Sequence, residues 1–126
     1  MKKLFLILGL LIFCTAGAVL SAERYDEYFV VTFTHCLPTD RMFILHDEAG
    51  DKTVFYQIIG WDENYKCRYS EKVTQNEKSE AFTCNFVREQ IDELVAAMKK
   101  DPEGTSAAKA LWERYKNIPE VCTIQE

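Results

Sequence analysis

The side chains with reactive potential in this 126-residue chain are two histidines, five cysteines and twenty carboxylates, and their spacing decides which chemistry they can share. His35 and Cys36 are neighbours, as a thiol nucleophile and its base would be. On a strand, however, adjacent side chains point to opposite faces, so this histidine is poorly placed to activate that sulfur. A zinc site from His35, His46 and Asp47 lacks the HxxxH or CxxC spacing that sets ligands on one face. Asp47, Glu48 and Asp51 surround Gly50, but not with the ligand spacing of an EF-hand loop. There is no phosphate-binding glycine loop, no GxSxG elbow and no dinucleotide fingerprint. No cofactor, metal or catalytic residue is assigned, and the expected function is non-enzymatic.

The feature that stands out is aromatic density: Phe55, Tyr56, Trp61, Tyr65, Tyr69, Phe82 and Phe86 fall in the middle of the chain. One reading is a core filling the space between a sheet and helices. The other is a pocket in a curved sheet, where aromatic faces and tyrosine hydroxyls hold a small apolar or cationic ligand. On the second reading the candidate ligand-binding residues are Tyr56, Trp61, Asp62, Glu63, Tyr65 and Tyr69, with the two carboxylates at the mouth favouring an amine.

The elements that must position these residues begin after a leader. Lys2 and Lys3 precede an apolar run, Leu4 to Phe13, and small residues follow at Ala16-Gly17-Ala18 and Ser21-Ala22. That is the pattern of a secretory signal peptide over residues 1–22, cut after Ala18 or Ala22, with a single domain over 23–126. Secretion, or export to a periplasm, gives the cysteines an oxidising compartment. Cys14 leaves with the leader; the residues before it do not suit a lipidation site. Cys36, Cys67, Cys84 and Cys122 remain, enough for two disulfides with three possible connectivities. The expected pairing is Cys67–Cys84 with Cys36–Cys122, on the argument that two adjacent strands bring Cys67 and Cys84 to one buried face.

Loss of the leader leaves thirteen Lys/Arg against twenty Asp/Glu, a net charge of −7. Such a surface disfavours nucleic acid, which needs cations to displace phosphate counterions, and disfavours anionic lipid. A cationic protein partner is electrostatically easier.

Tyr28 to Cys36 alternates aromatic and β-branched residues and reads as a strand with Phe29, Val31 and Phe33 on one face. Met42 to Leu45 leads into a turn at Asp47–Asp51, and Thr53 to Trp61 is apolar on both faces except Gln57. Tyr65 to Val73 alternates cleanly, with Tyr65, Cys67, Tyr69 and Val73 on one side and only Glu71 breaking the pattern. After a polar loop, Thr74 to Ser79, the residues Phe82, Cys84 and Phe86 form its partner strand. The period then changes: Val87, Ile91, Leu94, Val95 and Met98 mark a helix capped by Asn85. A second helix, capped by Thr105 or Ser106, carries Ala107, Ala108, Leu111, Trp112 and Tyr115. The fold class is therefore α+β: an antiparallel meander of four to five strands followed by two helices on one face, with two disulfides.

Val54-Phe55, then Ile58-Ile59-Gly60-Trp61-Asp62-Glu63 and Cys67, followed later by Leu111-Trp112, Ile118-Pro119 and Cys122, resemble the C-terminal half of tick salivary lipocalins of the histamine-binding class. The resemblance covers about a third of the chain. A lipocalin barrel needs eight strands, and at most five are legible here. The resemblance implies secretion and binding of a small amine or lipid near Trp61, Asp62 and Glu63. Two functions follow as expectations: a secreted binding protein for a small apolar or amine ligand, or an acidic inhibitor of a cationic extracellular or periplasmic protein.

Overall fold

The computed structural model describes residues 24–125; the leader, with Cys14 and both cleavage positions, lies outside them. The chain runs α1 (Glu27–Thr34), β1 (Thr39–Asp47), β2 (Gly50–Trp61), β3 (Cys67–Gln75), β4 (Lys78–Phe86), α2 (Arg88–Lys100), α3 (Ala107–Lys116) and β5 (Cys122–Gln125). The five strands pair antiparallel in chain order. This is the expected α+β meander with two disulfides, and it gains a helix at its start.

That helix corrects the strand expected over Tyr28–Cys36. Asp26 accepts a hydrogen bond from Phe29 N at 2.9 Å and caps α1. Thr32 and Thr34 bond back to the Tyr28 and Val30 carbonyls at 2.8 and 2.6 Å. Helical spacing buries Phe29, Thr32 and Phe33 and leaves Val31 exposed, where a strand would have buried Val31 with the two phenylalanines. The gain is packing: Phe29 meets Tyr56 and Tyr69 edge-on, and Phe33 meets Tyr69 and Phe86. Tertiary burial overrides the local preference of β-branched residues for strand. Cys36 closes the helix at φ +50°, with Cys36 N donating to Phe33 O and Leu37 N to Thr32 O, the two bonds of a left-handed helix stop.

Along β2, Val54, Tyr56 and Ile58 are buried while Phe55 and Ile59 are exposed. All three helices therefore pack on one face, and nothing among the described residues covers the other. A bulge between Ile58 and Gly60 shifts the pairing with β3 and sets Trp61 opposite Cys67, while buried and exposed residues keep alternating to the strand's end. The loop expected over Thr74–Ser79 contracts to a two-residue turn, because Asn76 and Glu77 both take positive φ and the strands stay paired up to Gln75 and Lys78.

That short turn fixes the register and overturns the expected disulfides. Cys67 stands opposite Phe86, and Cys84 stands opposite Tyr69, so the two sulfurs are two residues out of step. The bridges are instead Cys36–Cys67, tying the end of α1 to β3, and Cys84–Cys122, between facing residues of β4 and β5.

Asn85 does not cap α2, as it still belongs to β4; Val87 N donates to Gln90 Oε1 at 2.9 Å instead. Ser106 sits at the cap position of α3, but the side chain that serves this end is Asp101. Its carboxylate accepts from Thr105 N, Ser106 N and Ala108 N at 3.2, 2.8 and 3.0 Å. The Ser106 N–H, aided by those of Thr105 and Ala108, holds the Asp101 pKa below its ordinary value. A lowered folded pKa adds stability above the unfolded value near 4, and that stability is lost as pH falls through the folded pKa. Asp101→Asn is accordingly expected to melt below the wild type at pH 7, with the gap narrowing towards pH 3. Melting curves with a pH-independent gap would contradict this.

Candidate functional site

The helices are too short to cover the sheet. By standard rises, β2 with its 12 residues is about 40 Å long, whereas α1 with eight and α3 with ten are about 12 and 15 Å. Burial on the inner face falls off towards the β1–β2 hairpin, from the buried Tyr56 and Val54 to the half-buried Phe43, Leu45 and Val73 and the exposed Glu80. One row across the sheet, Ile58–Tyr69–Cys84–Cys122, belongs to the covered core. Another, Phe43–Val54–Val73–Glu80, runs towards the open end. Between them lies the row Arg41–Tyr56–Glu71–Phe82.

The open end is a cleft of about 640 Å³, within the ~300–1,000 Å³ usual for small-ligand sites. Val54, Glu71, Val73 and Phe82 line it from β2, β3 and β4, Leu45 and Lys52 from the β1–β2 hairpin, and Trp112 and Lys116 from α3. Gly104, in the loop before α3, also lines it. It holds φ +70°, and a Cβ there would stand 2.8 Å from the Tyr25 ring, so the loop closes on Tyr25 only as glycine.

At the cleft lies the residue that breaks the β3 alternation. Glu71 is buried and accepts from Arg24 Nη2 at 2.5 Å and from the Tyr69 hydroxyl at 2.6 Å through the same oxygen, Oε1. The Arg24 guanidinium also lies over the Tyr25 and Phe43 rings, 4.7 and 4.9 Å from their centroids. Burial works to lower the Arg24 pKa, but the Glu71 charge and the neighbouring tyrosines outweigh it, so the guanidinium stays charged. Burial, and next the Glu71 charge, push the Tyr69 hydroxyl well above its ordinary range. Two buried donors of the cleft lining, Arg24 Nη1 and Trp112 Nε1, lack a hydrogen-bond partner. Burial raises the Tyr25 pKa, and Trp112, as a nearby donor, works weakly against that rise, though no bond of ordinary geometry joins the two.

The six residues nominated from sequence fall into two groups away from one another's chemistry. Tyr56 and Tyr69 are fully buried, their rings stacked at 6.2 Å beneath α1 and α3. Trp61, Asp62, Glu63 and Tyr65 lie at the β2–β3 turn. Asp62 holds that turn by accepting from Asn64 N and Lys66 N at 2.8 and 3.0 Å; the Lys66 N–H is the main cause of its lowered pKa. Tyr65 is 85% exposed, and the Trp61 ring already has the Arg88 guanidinium over it at 5.0 Å, where a ligand amine would sit. His46 bonds Asp51 on the surface at 2.5 Å. No group of three or more His, Cys, Asp or Glu poised to hold a metal occurs among the described residues.

Arg24, Val54, Val73 and Trp112 were not nominated. Glu71, a lone carboxylate on an otherwise apolar strand face, was the available signal that a buried cation stood nearby. No family model, curated protein or solved structure matches this chain.

Proposed function

We propose that the protein is a secreted, non-enzymatic binding protein that holds a small, largely apolar ligand in the cleft between the β1–β2 hairpin and α3. The observation that carries this reading is the cleft itself: a space large enough for a small ligand, with Val54, Val73, Phe82 and Trp112 in its lining alongside charged side chains such as Lys52, Glu80, Lys109 and Lys116. The two disulfides fit an oxidising compartment, and no helix among the described residues is long and apolar enough to cross a membrane. The Trp61–Tyr65 turn is the weaker candidate, because Arg88 and the turn's own backbone already engage Trp61 and Asp62.

Trp112 lines the cleft and Trp61 does not, which supplies an internal control. Titration with ten-carbon probes is expected to change Trp112 fluorescence with dissociation constants in the ~micromolar range, as burial of about eight methylenes allows. Val73→Trp, which fills the cleft from a half-buried strand position, is expected to abolish that response while retaining the circular dichroism of the fold. Unchanged binding by a folded Val73→Trp protein would remove the cleft from consideration.

A further inference from the structure

We infer that β1 is the interface of a homodimer, in which two copies pair their β1 strands antiparallel about a two-fold axis at Phe43 and join two five-stranded sheets into one. The inference is independent of the cleft. β1 ends the sheet, with β2 as its one neighbour. Every second residue along it therefore turns its backbone N–H and C=O to an edge that no described strand pairs. Such edges are normally blunted by proline, lysine, a bulge or brevity. β1 has none of these. Thr39–Asp47 contains no proline, glycine or lysine, and its nine residues pair with β2 without a shift of register. The opposite edge is protected, since β5 has four residues and the part of β4 beyond it carries Lys78 and Glu80.

Apolar side chains border this edge on both faces of the sheet. On the face without helices, Met42 and Ile44 are 68% and 53% exposed, beside the exposed Phe55 that stands opposite Met42 on β2. On the helix side, the Arg41 guanidinium lies 4.6 Å from the centroid of the Tyr28 ring, which brings that side of α1 next to β1. Tyr28 and Val31, neighbours one turn apart, are both exposed there.

The order of residues in β1 selects a second copy as the strand that completes the edge. Pairing about Phe43 uses all nine residues, with Thr39 opposite Asp47. It also sets Met42 opposite Ile44 and Asp40 opposite His46, apolar against apolar and acid against base. His46 then stands between its own Asp51 and Asp40 of the second copy. The nearest registers, centred on Met42 or Ile44, shorten the overlap to seven residues (39–45 or 41–47). They set Asp40 against Ile44 or His46 against Met42, so every slip costs both backbone bonds and matched side chains.

The test is sedimentation equilibrium of the disulfide-bonded secreted protein at ~1 to ~100 µM, where a dimer with a dissociation constant of about 10 µM is expected. Met42→Lys and Ile44→Glu alter exposed side chains and are expected to leave the melting curve of the fold in place. Each alone is expected to weaken the dimer about tenfold, because a charge then faces an apolar residue twice across the axis. Mixed in equal amounts, the two variants are expected to recover the dimer. The introduced lysine of one copy then faces the introduced glutamate of the other, and Ile44 faces Met42. A wild type that stays monomeric at ~100 µM would overturn self-pairing and leave the edge to a strand of another protein. A dimer that neither variant weakens would overturn β1 as its interface. A mixture of folded variants that stays monomeric would overturn the pairing about Phe43.

Discussion

Glu71→Ala is expected to destabilise the fold by about 3–5 kcal/mol, a large share of the roughly 5–15 kcal/mol that holds a domain together. The substitution deletes the acceptor of both Arg24 Nη2 and the Tyr69 hydroxyl. The guanidinium is then left buried with two unpartnered edges, since Nη1 already has none. Most of the loss comes from that abandoned charge rather than from the pair's own net worth, because bringing both ions out of water costs several kcal/mol each. The double variant Arg24→Met/Glu71→Leu removes the charge along with its partner. It is expected to recover to within about 1 kcal/mol of the wild type, less a small cost for the Tyr69 hydroxyl. Urea denaturation of the two variants reads this directly. A double variant as unstable as Glu71→Ala would mean that the ion pair contributes attraction well beyond its desolvation cost.

That pair also shows what can be read along the chain and what cannot. The alternation from Tyr65 to Val73 locates a strand and picks out Glu71 as the one residue on the wrong side. It cannot say which cation answers it, since Arg24 lies 47 residues away and reaches the sheet only through the path of α1. The meander and the two later helices follow from period alone, as alternation over β3 and β4 and 3.6-residue spacing over α2 are local properties. The first helix does not follow. Tyr28 to Thr34 favours strand locally and becomes helix because Phe29 and Phe33, one turn apart, enter a cluster built from β2, β3 and β4. Asp26 and Glu27 were the visible start signal, a cap and a first-turn acid, masked by the β-branched run that follows.

The candidate site was less legible still. Aromatic density marked the covered core rather than the cleft: Tyr56 and Tyr69 fill that core, Trp61 and Tyr65 stand at the β2–β3 turn, and only Phe82 of the set lines the cleft. What makes a cleft is an absence, the stretch of sheet that helices of eight and ten residues cannot reach. The residues that line it are ordinary ones, the buried Val54 and the half-buried Val73 among them. No pattern within either strand distinguishes a valine under a helix from a valine beside a cleft.

Removal of both disulfides is expected to cost the remaining stability. The loops they close span 31 and 38 residues, and in the chain-entropy account each restricts the unfolded chain by about 3–4 kcal/mol. The two bridges should fail differently. Cys84 and Cys122 join strands already paired by backbone bonds, so Cys84→Ala/Cys122→Ala is expected to lower the global stability while loosening only β5 within the folded state. Cys36 holds α1 in a conformation that its residues do not favour on their own, at a left-handed position where glycine is the usual occupant. Cys36→Ala/Cys67→Ala is therefore expected to lose helical circular dichroism and the amide-exchange protection of Glu27–Thr34 while the hairpins persist. Peptide mapping under non-reducing conditions should recover Cys36 with Cys67 and Cys84 with Cys122. A Cys67–Cys84 peptide would require β3 and β4 to slip by two residues, which moves Glu71 out of line with Phe82 and pulls the acidic end of the ion pair away from Arg24. The register, the bridges and the cleft thus stand or fall on the same two-residue turn at Asn76-Glu77, and that one mapping experiment tests all three.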